Sequence, residues 1–308
     1  PDEDDTLAPP KIEGQQAFRV ERQLAGGSDA AAGFLPAASP PIGSYLDVMG
    51  VVSAGMTLVD GFFYLAGGFN NLEETFDNSS SLGYETARVN VHFVGVVANS
   101  YVQSGDSITD LFNLAGGVGS LSSVLTARNL LGADTVTMVA PQKLDGSTCG
   151  IAVPPGYPGY ENAFTVVTVE TNPDCEHRLA IPHEVGHNLG ASHQNWADPY
   201  YSDSLAYPAG AVADALPCTV VHTNTGCRRL VYSSPYVNFP SSTTPAGVTG
   251  RFNAKAVSTI VIDAVNFRSP VVQGGGNYTA LTTPQRILDS RPATSTGGYN
   301  TPWAANVG

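Results

Sequence analysis

Positive charge is scarce in this 308-residue chain: Lys and Arg total 14 against 27 Asp and Glu, a formal net charge of −13. A surface of that sign repels phosphate, which disfavours nucleic acid and anionic membranes as partners. The chain has no run of about 18 apolar residues, so no helix is expected to insert across a membrane. Nor does a basic, apolar leader open it. The first residues read PDEDDTLAPPKIEG, as expected of a mature or trimmed exported product. Charged residues make up only 13%, while 33 Gly and 22 Pro announce many turns and loops. The four cysteines, Cys149, Cys175, Cys218 and Cys227, form no Cys-x-x-Cys pair, which argues against a cysteine-zinc or thioredoxin-like site. Their even number fits two disulfides. Three connectivities are open, as is a set of four reduced, buried cysteines; Cys149–Cys175 and Cys218–Cys227, one loop on each side of a histidine cluster, are the favoured pairs. The balance describes a secreted, extracellular protein.

Along the chain, residues 1–43 are acidic and rich in Pro and Gly, and read as a leader or propeptide remnant. The texture changes at Tyr45. YLDVMGVV (45–52) is a buried strand, and TLVDGFFYLAGGFNNLEETF (57–76) a helix interrupted at Gly67–Gly68. ARVNVHFVGVVA (87–98) is a second strand. SVLTARNLLGA (123–133) is an amphipathic helix closed by Gly132, and DTVTMVAP (134–141) a strand ended by Pro141. CGIAVPPG (149–156) starts as a strand and is broken by prolines, which suits a sheet edge. AFTVVTVE (163–170) is a further strand. FNAKAVSTIVIDAVNFR (252–268) has the apolar spacing of a terminal helix. Alternating strands and helices predict an α/β (α+β) fold over residues 44–268. Residues 269–277 form a Gly-rich linker, and 278–308 the start of a truncated C-terminal module.

The chain holds six histidines, and three fall in HEVGHNLGASH, residues 183–193. On a helix, residues i and i+4 share a face, so His183 and His187 can meet one ion. Glu184 is displaced around the helix, where it reaches water beside the ion rather than the ion itself. His193 lies six residues beyond His187, about 9 Å further along a continued helix. The chain must therefore turn back, and Gly190 can do so because glycine enters the left-handed region without a Cβ clash. Three nitrogens leave zinc an open position, the mark of a catalytic site. At this chain's composition the five fixed positions would recur by chance on the order of 10⁻⁵ times per chain, so chance does not account for them.

HExxHxxGxxH resembles the zinc signature of the metzincin clan of metallopeptidases. LGADTVTMVAP, CGIAV and NPDCEHRLAIPHEVGHNLGASH follow in an order similar to the bacterial peptidyl-Asp metallopeptidases and the adamalysin-like, or reprolysin-like, zinc peptidases. CRRLVYSSPYVNF and the terminal helix extend the similarity to about Tyr45–Arg268. The resemblance implies a metzincin-like twisted mixed sheet with an active-site helix and a C-terminal helix. It implies Zn2+ held by His183, His187 and His193, with Glu184 as general base of a secreted endopeptidase. It also implies a polypeptide substrate lying along an edge strand, for which Gly150, Ile151, Ala152 and Val153 are the candidates. The protein is expected to act as a monomer.

Two absences set this chain apart from the clan. Metzincins carry a methionine in a turn below the zinc, yet Met49, Met56 and Met138 all precede the motif. The best match to that turn is TVVHT (219–223), with Val221 at the Met position and Thr223 where Tyr is common. Gln194 stands where adamalysin-like enzymes usually carry Asp. No glutamate follows Glu184, which excludes a thermolysin-like third ligand. No cysteine precedes Cys149, so an N-terminal cysteine cannot cap the metal. His92 and His177 lack metal spacing and read as strand and loop residues. His222 reads as a surface residue or one facing the site. The competing readings are a catalytically weak or inactive zinc-binding adhesion module of the same fold, and a hydrolase of a non-peptide bond.

Overall fold

The computed structural model describes residues 44–80, 89–141, 148–157, 159, 161–169, 179–193, 217–223, 227–248 and 251–268. The chain divides into two units, Pro1–Val271 and Val272–Gly308, and every described residue belongs to the first. The leader (1–43), the linker and C-terminal module (269–308), Cys175, His177 and Gln194 lie outside the described residues.

Five strands form one mixed sheet: β1 (Ser44–Val52), β2 (Val89–Ala98), β3 (Thr135–Ala140), β4 (Gly150–Ala152) and β5 (Phe164–Thr168), in the order β2-β1-β3-β5-β4. All neighbours run parallel except β4, which lies antiparallel to β5 at the edge. The Pro154–Pro155 pair explains that place: proline cannot donate to a further ladder. Parallel strands need helical crossovers that cover both sheet faces. β1 accordingly sends Leu46, Val48 and Val52 into one core and Met49 and Val51 into the other. The first core is closed by α1 (Leu58–Asn78), α4 (Ala180–Asn188) and α5 (Asn253–Ala264), the second by α2 (Ser107–Gly116) and α3 (Ser122–Leu131). This is the expected α/β architecture, a twisted mixed sheet with five helices.

Two local expectations need correction. Helix α1 runs unbroken through Gly67–Gly68 from its Thr57 cap, whose hydroxyl accepts from Asp60 N at 3.1 Å. Gly68 faces Ile181 of α4, and a Cβ there would collide with the Ile181 side chain. The glycine serves close helix approach, and packing outweighs its cost of about 1 kcal/mol in helix propensity. Helix α2 is absent from the sequence-based reading. Asp106 caps it through Thr109 N, and Gly117 ends it in the left-handed conformation. Gly132 closes α3 in the same way, as expected.

Beyond α5 the chain is fastened to the sheet by charge. Arg268 N donates to Asp134 Oδ1 at 3.1 Å, and its guanidinium reaches Glu161 at 3.2 Å. Buried Arg128 donates to the same Glu161 at 2.7 Å. Burial raises Asp134 to about 6, against the two backbone donors that hold it. His92, on the other edge of the sheet, bonds Asp47 at 2.8 Å, in keeping with an ordinary strand residue.

Candidate metal centre

Helix α4 carries the first half of HEVGHNLGASH, and its end is a glycine stop. Ala191 N donates to Gly186 O at 2.9 Å and Gly190 N to His187 O at 3.0 Å, with Gly190 at φ 88°. This six-to-one and five-to-two pair is the Schellman motif, which needs a left-handed residue where Gly190 stands. The reversal brings His193 back beside the helix. His183, His187 and His193 place their Nε2 atoms 3.0–3.1 Å from one another. All three rings are buried, and so is Glu184.

The donor chemistry tests whether a metal fits. His183 Nδ1 lies 2.8 Å from Val220 O, and His187 Nδ1 lies 2.7 Å from Ala191 O. A carbonyl only accepts, so each Nδ1 carries the proton and each Nε2 offers a lone pair. Two such lone pairs 3.1 Å apart repel unless a cation stands between them. Backbone carbonyls that fix the outer nitrogen are the usual support of a ligating imidazole. The residues fit a zinc ion, which His183, His187 and His193 would hold.

Glu184 and strand β4 are in direct contact. A Cβ on Gly150 would lie 2.6 Å from Glu184 Cγ and 2.7 Å from Oε1. Only glycine lets the strand come this close to the carboxylate. We expect Gly150→Ala to retain zinc but to lose about 10²-fold in turnover, because the carboxylate or the strand must shift. Equal turnover in wild type and variant, with metal content measured in both, would refute that contact's role.

The register of β4 sorts its four candidate residues. Thr168 N donates to Cys149 O at 2.9 Å and Val153 N to Phe164 O at 3.1 Å, with Ile151 opposite Val166 between them. Backbone groups alternate along a strand. Ile151 and Val153 are therefore turned to β5, whereas Gly150 and Ala152 direct N–H and C=O away from it, along an edge that pairs with no further strand among the described residues.

Two supporting residues escape a reading of the sequence. Asn188, fully buried next to His187, donates to Val153 O at 2.9 Å and Phe164 O at 3.1 Å, and accepts from Thr165 Oγ1 at 2.7 Å. It ties the end of α4 to the edge strand. Asn253, at the start of α5, accepts from Ser192 N at 3.0 Å and donates to Ser192 O at 3.1 Å. It thereby clamps the backbone beside His193. Nothing local marks either residue, since both partners are set by packing.

Cys218 and Cys227 form a disulfide, and Cys149 is also disulfide-bonded; its expected partner, Cys175, lies outside the described residues. His222 does not join the three histidines. Its ring sits within 4.8 Å of the Cys218 and Cys227 sulfurs, which are spent on each other. Val221 is fully buried against Gly186 of α4.

Residues 73–194 match the model of metallo-peptidase family M12B, reprolysin-like. No curated protein matches the chain. Among solved structures, a protein from a chaperone-substrate complex is 20% identical over 73% of this chain, with a TM-score of 0.57. This chain spans only 35% of that protein's length, and the likeness concerns the fold. Metalloproteinase-II from Bacteroides fragilis is 13% identical, covering 64% of this chain and 52% of its own, with a TM-score of 0.42. The fold is consistent with a metzincin-like one, and the segment ending in the three-histidine centre is similar to the reprolysin-like metallo-peptidases of family M12B.

Proposed function

We propose that the protein is a secreted zinc-dependent endopeptidase in which Glu184 is the general base. The observation that carries this reading is the buried cluster in which three Nε2 atoms lie within 3.1 Å beside Glu184, itself pressed against edge-strand residue Gly150. When bound, zinc supplies Lewis acidity, polarising a carbonyl and making water a nucleophile near neutral pH. Glu184 takes the proton from the attacking water and returns it to the leaving amine. A polypeptide adds as a strand along the outer edge of β4, paired to the backbone of Gly150 and Ala152, with Ile151 and Val153 holding that edge in place from within. The Cys218–Cys227 disulfide suits an oxidising compartment. Among the described residues no helix is long and apolar enough to cross a membrane.

The test is hydrolysis of a denatured protein and of a diverse peptide library by the purified chain. Cleavage should stop with a chelator and return with added zinc. A zinc-loaded protein that cleaves no peptide at all would sink the peptidase reading and leave a metal-binding adhesion module in its place.

A further inference from the structure

Of the glycine contacts around helix α4, Gly150 lies at the substrate edge, whereas Gly186 marks a close approach on another flank. At 100° per residue, Pro182 and Gly186 lie on the flank of the helix opposite Glu184, with His183 and His187 between. That far flank is occupied by Tyr232. A Cβ on Gly186 would lie 2.8 Å from Tyr232 Cε1 and 3.2 Å from its hydroxyl oxygen, with Val221 Cγ2 at 3.3 Å. The Tyr232 hydroxyl donates to Pro182 O at 2.9 Å, one residue before the first ligand. The ring is fully buried.

The backbone around Tyr232 serves the same histidine. Val231 O accepts from Val220 N at 3.0 Å, and Val220 O is the acceptor for His183 Nδ1. Tyr232 N donates to Ser79 Oγ at 2.7 Å, and that hydroxyl donates to Thr75 O in α1 at 2.6 Å. Tyr232 is thus rooted in the end of α1, supports the turn that orients His183, and braces the helix from behind.

We infer that Tyr232 is a positioning residue for the metal centre. Its ring, beside Val221, supplies the wall behind Gly186 where a valine alone is small, and its hydroxyl fixes the first turn of α4. The inference rests on the zinc reading above and adds a residue to it. Tyr232 takes no part in proton transfer, since its hydroxyl is committed to Pro182 O.

The full chain and its Tyr232→Phe, Tyr232→Leu and Val221→Met variants are titrated with zinc against a chromogenic chelator. Melting of the metal-free proteins is followed in parallel. Tyr232→Leu should weaken zinc binding about tenfold, as loss of a ligand's supporting partner does, and Tyr232→Phe by a smaller factor. Val221→Met should weaken binding by crowding the ring, and joining it to Tyr232→Leu should recover part of the loss. Zinc affinity unchanged in Tyr232→Leu, whatever its melting temperature, overturns the inference and leaves Tyr232 as ordinary core. If Tyr232→Leu does not fold, unchanged affinity in Tyr232→Phe overturns it equally. A wild-type chain that binds no zinc overturns the zinc reading itself, an outcome distinct from wild type and variants binding alike.

Discussion

Glu184→Gln is expected to bind zinc as the wild type does and to hydrolyse peptides about 10²–10⁴-fold more slowly, the usual worth of a positioned general base. Glutamine keeps the shape that fits against Gly150, where Glu184 Cγ and Oε1 leave no room for another carbon. What it loses is the ability to accept a proton. The three histidines are unchanged in this variant, and Glu184 sits about 100° round the helix from His183. Metal analysis and turnover should therefore separate in this variant. Full turnover in the Glu184→Gln protein would remove Glu184 from the chemistry.

His193→Ala should cost the zinc itself. Two imidazoles on one helix remain, but the cluster loses the third corner of its triangle, at 3.0 and 3.1 Å from the other two. Partners one shell further out are worth about 10- to 100-fold in metal affinity, so deletion of a ligand should exceed about 10²-fold. His222→Ala is the control: its ring lies with the Cys218 and Cys227 sulfurs and should leave zinc content unchanged. Equal zinc in the two variants would sink the three-histidine assignment. The Gly190 turn makes the same point from the backbone, since His193 reaches the site only through the reversal at φ 88°.

The strands and most helices were legible in the sequence because each leaves a short-range mark. Buried strands of a parallel sheet read as apolar runs, and DTVTMVAP and AFTVVTVE fall on β3 and β5. Prolines after CGIAV placed β4 at an edge. Helix α1 was misjudged at Gly67–Gly68 because a glycine pair weakens a helix in isolation. The gain from fitting Ile181 into the gap appears only when α4, more than a hundred residues later, lies against it.

The metal centre divides along the same line. HEVGHNLGASH alone determined two histidines on one helical face, a carboxylate beside them, a glycine to turn the chain and a third histidine to return. Each of those depends on spacing within eleven residues, and helical geometry fixes what spacing means. Tertiary structure decided the rest: Val220 O behind His183, Asn253 behind His193, Gly150 against Glu184 and Tyr232 behind Gly186. Those partners come from 34 to 60 residues away in the chain by their numbering. No local period encodes them, because burial and close packing choose a neighbour by shape and by the need to satisfy each buried donor and acceptor.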